Sequence, residues 1–426
     1  PKERKLGQGE LFKVDSMRLF EELCRPSVLR QGFREVSKNR GSSGIDAITV
    51  EDYKANLEQE IRELSAELKD WSYKPQPVRR VEIPKPGGGV RLLGVPCVRD
   101  RVVQASIKFL LEPIIDPTFS ASSFGFRPGR SQKQAIEKAK SIVSSGKDIV
   151  VDIDLSKFFD RVSHDRIIRQ LRTVHKIDNR ILRLTGLTLR SGVMVNGQKE
   201  NTFVGTTQGS PLSPLLSNVI LDELDKELEK RGLEFCRFAD DCNIFVKSQK
   251  AADRVMGSIS NFIEKKLKLV VNEEKSKTGK AEVIKFLGMT IVAGMITISS
   301  MSMSRANERL CELIPRRTNQ SIEATVEKLN IWYRGWSGYY GITEDKRQLQ
   351  RVEAHARRRL RSRIVYEHKR PRNLKRTLLK RGVSEYAANR IINNKGIWAT
   401  SRSPAMHRAF PNRYFIEELG QFIYSA

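Results

Sequence analysis

The sequence predicts an α+β protein made of more than one structural unit, and three observations carry that expectation. Its 426 residues exceed what one ordinary core accommodates, so length alone suggests about two to four units. The middle of the chain carries short β-type runs between helical stretches, and two of those runs hold acids. From Ser302 onward the pattern is helical, basic and poor in strand signals, which places a boundary near residue 300.

Taken in order, residues 10–70 read as helical, with a loose apolar stripe of Phe12, Met17, Leu19, Phe20 and Leu23. Gly41–Gly44 is a turn, and Leu57, Ile61, Leu64 and Leu68 then recur at helical spacing. Val78–Ile83 alternates as a strand, Pro86-Gly-Gly-Gly89 turns, and Val90–Val95 returns, so Lys85 and Arg91 flank one hairpin tip. Helices are expected over Val102–Leu111 and Ser131–Ser144, and Ile149–Leu155 reads as a buried strand. Asp165 is expected to cap the next helix. Ser213–Lys230 and Ala251–Leu267 read as helices. Between them Phe235–Lys247 reads as a hairpin with an acidic turn, and Ile284–Ile298 as a strand pair around Gly288 and Gly294.

Charge narrows the partners. Lys and Arg number 77 against 50 Asp and Glu, a net +27, and residues 301–426 hold 26 against 11, or +15 of it. A protein that follows a phosphate backbone uses such an excess, because each neutralised phosphate releases a counterion. The five cysteines form no C-x-x-C pair, which argues against a disulfide framework or zinc site and for a reduced cytoplasm. No apolar run of about 18 residues offers a membrane span, and the charged first residues offer no signal peptide.

The acids carry the chemistry. Buried strands rarely hold ionised side chains, because desolvating a lone charge is costly. Yet Asp152 and Asp154 share one strand face, and Asp240 and Asp241 sit at a tight hairpin tip. An isolated Asp-Asp pair is ordinarily just a turn. Here the apolar flanks Phe235–Phe238 and Asn243–Val246, the acidic partner strand and the basic remainder favour cations instead. Mg²⁺ suits such hard oxygen ligands, and two such ions make a phosphoryl-transfer centre.

These residues resemble a known family. Phe238-Ala-Asp-Asp241 resembles the Tyr/Phe-x-Asp-Asp box of reverse transcriptases, Asp154-Leu-Ser-Lys-Phe-Phe-Asp160 their first metal-binding motif, Gln208-Gly-Ser-Pro-Leu-Ser-Pro-Leu-Leu216 their Gln-Gly box and Phe286-Leu-Gly288 their primer grip. Arg80-Val-Glu-Ile-Pro-Lys-Pro86, Ser123-Phe-Gly-Phe-Arg-Pro128, Leu221–Lys230 and Trp332-Tyr-Arg-Gly-Trp-Ser-Gly-Tyr-Tyr340 resemble bacterial group II intron reverse transcriptases and their thumb, or maturase, segment. Thr207 stands where the family usually has Pro, Ser210 where it has a second Gly, and Phe238 where Tyr is commoner.

The resemblance implies a right-hand polymerase fold with fingers, a palm of antiparallel sheet and helices, and an α-helical thumb. It implies an N-terminal extension and fingers in residues 1–117, palm and remaining fingers elements in 118–300, thumb in 301–390 and a small DNA-binding segment in 391–426. Asp154, Asp240 and Asp241, with the Leu155 carbonyl, would hold two Mg²⁺ ions, Mn²⁺ being a substitute. Phe159 would be the steric gate that selects deoxynucleotides, Lys85 and Arg91 would grip the triphosphate, Gln208 would meet the nucleotide near its 3′-OH, and Lys275 would protonate pyrophosphate. Arg127 and Arg130 could touch template or cap a helix. His164 reads as a helix-start residue. The run Arg357-Arg-Arg-Leu-Arg-Ser-Arg363 would cover most faces of a helix, so it cannot all be packing surface. Trp332, Trp336, Tyr339 and Tyr340 interleave with Arg334, a mixture that can stack bases and hold phosphates, with thumb core the alternative and the favoured reading for Trp332 and Trp336.

The implied activity is RNA-dependent DNA synthesis in the bacterial cytoplasm, with an RNA template, a DNA or RNA primer, dNTPs, group II intron RNA and target DNA as partners, and with maturase action in splicing and retrohoming. No Cys pair or His cluster marks the family's His-Asn-His endonuclease. Two alternatives stand: a host-domesticated enzyme of DNA repair or defence, and an RNA-binding maturase whose polymerase site has retired. The intact aspartates favour activity.

Overall fold

Hydroxyl side chains open many helices of this chain, because a Ser or Thr oxygen accepts one of the backbone N–H groups the first turn leaves unpaired. Thr49 and Ser131 do so within full capping boxes, with Asp52 and Gln134 reaching back. Ser163, Ser248, Ser299, Ser321 and Ser403 cap the helices that follow them. The cap expected at Asp165 therefore lies two residues earlier: Ser163 Oγ accepts from Arg166 N at 3.4 Å, and Asp165 stands exposed in the first turn.

The computed structural model describes residues 18–39, 41–84, 88–195, 197–368, 370–392 and 396–424. Phe12, Met17 and Lys85 lie outside these. The described residues form two compact units, dividing between Gly279 and Lys280.

The first unit begins with α1 (Leu19–Leu23), α2 (Pro26–Lys38), α3 (Val50–Ala55) and α4 (Leu57–Lys69). The apolar stripe of α4 buries Ile61, Leu64 and Leu68. Strands β1 (Val78–Pro84) and β2 (Val90–Val95) pair antiparallel with Ile83 opposite Arg91. The buried α5 (Val98–Ile115) and α6 (Gln132–Ser144) lead into β3 (Ile149–Ile153). After it come α7 (Phe158–Arg161), α8 (His164–Thr173), α9 (Asn179–Leu189), β4 (Val193–Val195), β5 (Gln198–Glu200) and α10 (Ser213–Lys230). The hairpin β6 (Glu234–Phe238) and β7 (Asp241–Val246) precedes α11 (Gln249–Phe262), which continues as a π-helical turn over Ile263–Leu267. The strand β8 (Lys277–Lys280) closes the set.

One sheet has the order β2-β1-β4-β5, with β1 and β4 parallel. The other, β6-β7-β3-β8, is the one that carries the acids. Val150, Val151, Ile153, Cys242 and Ile244 are buried in it, together with the polar side chains of Asn243 and Arg237.

The second unit contains the hairpin β9 (Met289–Val292) and β10 (Met295–Ile298), followed by helices only: α12 (Ser300–Leu313), α13 (Ile322–Tyr340), α14 (Arg347–Glu367), α15 (Pro371–Lys380), α16 (Glu385–Ile392), α17 (Ile397–Thr400) and α18 (Pro404–Ala409), then a π-helical turn over Tyr414–Glu418. Leu310, Leu329, Tyr333, Leu360, Met406 and Phe415 are core residues. Trp332 and Trp336 stack at 5.9 Å and pack on that core. The segment Phe286–Gly288 is tightly held. Leu287 (φ 52°) and Gly288 (φ 78°) are left-handed, Tyr339 Oη donates to Leu287 O at 2.9 Å, and a Cβ on Gly288 would meet Tyr340 Oη at 2.8 Å.

The arginine run on α14 turns inward far more than expected. Arg357, Arg361 and Arg363 are buried. Arg361 donates to Phe410 O at 2.8 Å and to Asn412 Oδ1 at 3.0 Å. Arg363 donates to Glu367 Oε1 at 2.7 Å and also reaches Thr325 Oγ1 and Gln320 O. Arg359 donates to Ile314 O at 2.9 Å, and the Arg358 guanidinium lies 3.8 Å from the Trp398 ring centre. A guanidinium has five donors in a fixed fork, which suits it to collect carbonyls from loops that end on a helix. Burial, with Arg357 nearby, lowers Arg361 to about 10.

Candidate active site

The acidic hairpin is set by its register. Phe238 pairs with Asp241, leaving Ala239 and Asp240 as a two-residue turn, and Ala239 takes a left-handed φ of 58°. On the neighbouring strand Ile153 pairs with Cys242, so Asp154 emerges beside the root of that turn. The Asp154 backbone is fixed from the far side of the unit: its N–H donates to Ser276 Oγ at 3.0 Å and its carbonyl accepts from Asn272 N at 2.8 Å. Leu155 is buried and bridges to Val271. Asp241 is exposed at the start of β7.

Burial raises the Asp240 carboxyl above the usual carboxylate range, the Asp154 charge raises it further, and Arg91 and Arg237 oppose them. Two carboxylates that repel each other beside an arginine fit a divalent cation. Among the described residues no group of three or more His, Cys, Asp or Glu forms a ready-made metal cage. Mg²⁺ takes one or two carboxylates and completes its shell with water and substrate phosphates.

A cleft of about 1050 Å³ opens over this point, and Arg91, Phe126, Phe159, Gln208 and Asp240 are among its lining residues. Four of these were expected from sequence; Asp154, Leu155, Asp241 and Lys275 are not among the lining residues. Phe159 on α7 is half-buried, its ring edge-on to the buried Phe158 at 5.4 Å. Its carbonyl accepts from Thr206 N at 2.6 Å. The Gln208 loop is pinned against β2, since Gly94 N donates to Gln208 O at 2.9 Å and a Cβ on Gly209 (φ 108°) would meet Gly94 O at 2.9 Å. The departures from the family pattern are accommodated. Thr207 packs its methyl where Gly94 leaves room, and the buried Ser210 donates to Gln104 Oε1 at 2.8 Å.

Other expectations change. Arg127 does not cap α6. It is buried, paired with Asp116 at 2.7 Å, and donates to Ser120 O and Ser123 O. Arg130 lies 5.5 Å from the Phe124 ring centre, and Ser131 is the cap. His164 opens α8 as expected, buried, with Nε2 2.6 Å from Gly205 O. Sequence reasoning missed Phe126, which is 47% exposed at a left-handed φ of 59° and lines the cleft. It also missed Arg237, a buried charge among the apolar residues of β6, although that same signal had singled out the aspartates.

Comparison with known proteins identifies the family. The reverse transcriptase (RNA-dependent DNA polymerase) family matches residues 83–291, and the group II intron maturase-specific domain matches residues 303–382. Protein YkfC of Escherichia coli is 31% identical over 300 residues, 61% of this chain and 78% of that protein. The group II intron-encoded protein LtrA of Lactococcus lactis is 34% identical over 223 residues, 52% of this chain and 36% of LtrA. A putative COX1/OXI3 intron 2 protein of Saccharomyces cerevisiae is 33% identical over 247 residues, 56% and 28% of the two. The chain is thus a reverse transcriptase of mixed α+β fold. Within that class it belongs to the group II intron type, with a maturase-specific domain after the polymerase domain. It spans 78% of YkfC but about a third of LtrA. No described helix is long and apolar enough to cross a membrane.

Proposed function

We propose that this chain extends a primer on an RNA template with Asp154, Asp240 and Asp241 as the metal-holding carboxylates. The observation that supports the reading is the strand register, which brings Asp154 beside the turn holding Asp240 and Asp241, at a cleft lined by Arg91, Phe159, Gln208 and Asp240. When bound there, two Mg²⁺ ions would supply activation of the primer 3′-hydroxyl and charge neutralisation on the leaving pyrophosphate. The chain's own groups do the rest. Arg91 meets the triphosphate with a planar fork of donors. Phe159 closes the space a ribose 2′-hydroxyl would need. Gln208 aligns the sugar end of the nucleotide. Lys85 and Lys275 remain candidates for triphosphate binding and pyrophosphate protonation.

The four-part division at residues 117, 300 and 390 is part of the same proposal, as are the Leu155 carbonyl ligand and the primer-grip role of Phe286–Gly288. So are intron RNA and target DNA as partners, and service in splicing and retrohoming. Primer extension on an RNA template, with Asp240→Ala beside the parent, tests the catalytic part. Splicing of the cognate intron RNA at low Mg²⁺, with and without protein, tests the maturase part; unchanged splicing would remove it.

A further inference from the structure

Beneath the acidic hairpin lies an ion pair that the catalytic reading does not use. Arg237 on β6 and Asp225 on α10 are each 0% exposed and 2.6 Å apart. Taking two charges out of water costs several kcal/mol per ion, and hydrophobic replacements of such pairs are often neutral or stabilising. Stability alone is therefore a weak account of this pair.

Its hydrogen bonds point elsewhere. Nε and Nη2 of Arg237 donate to the two Asp225 oxygens at 2.7 and 2.6 Å. Nη2 also donates to Ser123 Oγ at 2.7 Å, and Nη1 donates to Asn218 Oδ1 at 3.0 Å. The remaining Nη1 bond, at 2.9 Å, goes to the carbonyl oxygen of Ala239. All five guanidinium donors are thus used. Only the last reaches the turn.

That bond has geometric leverage. The Ala239 carbonyl and the Asp240 N–H belong to one planar peptide unit. Holding the oxygen sets the plane from which the Asp240 Cα and carboxylate depart. Ala239 needs holding, because its left-handed φ of 58° is unfavourable for a residue with a Cβ. The other side of the turn is closed by Gly125, where a Cβ would collide with Ala239 N. Gly125 is itself fixed by Asn218 Nδ2, which donates to its carbonyl at 2.9 Å. Ser123 is joined to the same strand through Phe124 N, which donates to Arg237 O at 2.9 Å.

We infer that Arg237, oriented by Asp225, is a positioning residue that fixes the Ala239–Asp240 peptide and thereby sets the affinity of the hairpin carboxylates for divalent metal. The inference rests on Asp240 being a metal ligand. The test keeps the two claims apart by locating the metal directly. Full-length protein is incubated with Fe²⁺ and ascorbate, and backbone cleavage at the hairpin is followed across Fe²⁺ concentrations. Asp240→Asn tests the ligand reading: unchanged cleavage in that variant removes the reading, whatever Arg237 does. Given metal-dependent cleavage in the parent, two variants test the inference.

Arg237→Lys keeps the charge but loses the fork. Arg237→Met with Asp225→Leu removes both charges together. Each is checked by thermal melting, and affinities are compared well below the transition. The expected result is an Fe²⁺ half-saturation raised about tenfold or more, the usual range for losing a group that orients a metal ligand. The Mg²⁺ midpoint of primer extension should rise in parallel, with dNTP KM at saturating Mg²⁺ much less affected. A folded variant of either kind with parental half-saturation overturns the inference. Loss of the fold in both variants also overturns it, in favour of a purely structural role.

Discussion

Replacing Phe159 by Val should make the enzyme accept ribonucleotides. The ring is half-buried at the cleft, backed edge-on at 5.4 Å by the buried Phe158, and its backbone is tied to Thr206. It cannot yield easily to an added hydroxyl. Forcing extra atoms into a well-packed site costs about 1–3 kcal/mol. Removing that obstacle should therefore lower the dNTP-over-rNTP preference in kcat/KM by roughly 5- to 150-fold. Loss of a half-buried ring should cost less than the ~3–5 kcal/mol of a full Phe-to-Ala core truncation, leaving the protein folded. The assay is single-nucleotide extension with dCTP and with CTP opposite a template G, each over a concentration series. A folded Phe159→Val enzyme whose preference stays within about twofold of the parent would refute the gate and the packing argument behind it.

Arg91→Ala should raise dNTP KM by roughly 10- to 150-fold, the range for losing a charge-assisted hydrogen bond, with primer–template affinity nearly unchanged; steady-state kinetics and filter binding read the two. Affinity for primer–template should fall about a thousandfold between about 50 and 200 mM salt, as expected for about six phosphate contacts, and a flat response would contradict backbone tracking. Asp100 gives a pH signature. It is buried under Tyr73 Oη at 2.6 Å and Gln76 N at 3.0 Å, and burial raises it from 3.8 to about 6. The folded state therefore holds this proton more tightly than the unfolded state. Its stabilising contribution is full below about pH 4 and is lost as pH rises toward 6, by about 3 kcal/mol. Melting of Asp100→Asn against the parent from pH 4 to 7 should show the parent losing ground over that window.

What could be read from the chain was local. The existence of the acidic hairpin, the extent of α10 and the helical character from Ser302 onward each follow from local spacing, though Asp241, expected at the hairpin tip, starts the return strand instead. Arg91, Phe159, Gln208 and Asp240 were chosen by motif, and they line one cleft. What escaped depended on distant segments. Arg127 was read as a template contact or a helix cap because Asp116 and Ser120 O, which hold it, are not apparent in its own motif. The inward turn of Arg361 and Arg363 depends on Phe410 O and Gln320 O, each more than 40 residues away. Arg237 was passed over although a charge flanked by apolar strand residues demands partners, and those partners, Asp225 and Ser123, come from elements that meet it only in the fold. Phe126 was hidden by its neighbours, since the same motif buries Phe124 and exposes Phe126.

The central claim is that the carboxylates at the hairpin and on β3 drive nucleotide addition. Primer extension on an RNA template in Mg²⁺ tests it most directly, with the parent, Asp240→Ala and Asp154→Ala compared at equal folded concentration. The account predicts extension by the parent and at least a thousandfold loss (roughly 4 kcal/mol of transition-state stabilisation) in either variant with its melting transition intact. Comparable extension by a folded Asp240→Ala protein, or none by the parent, would contradict it.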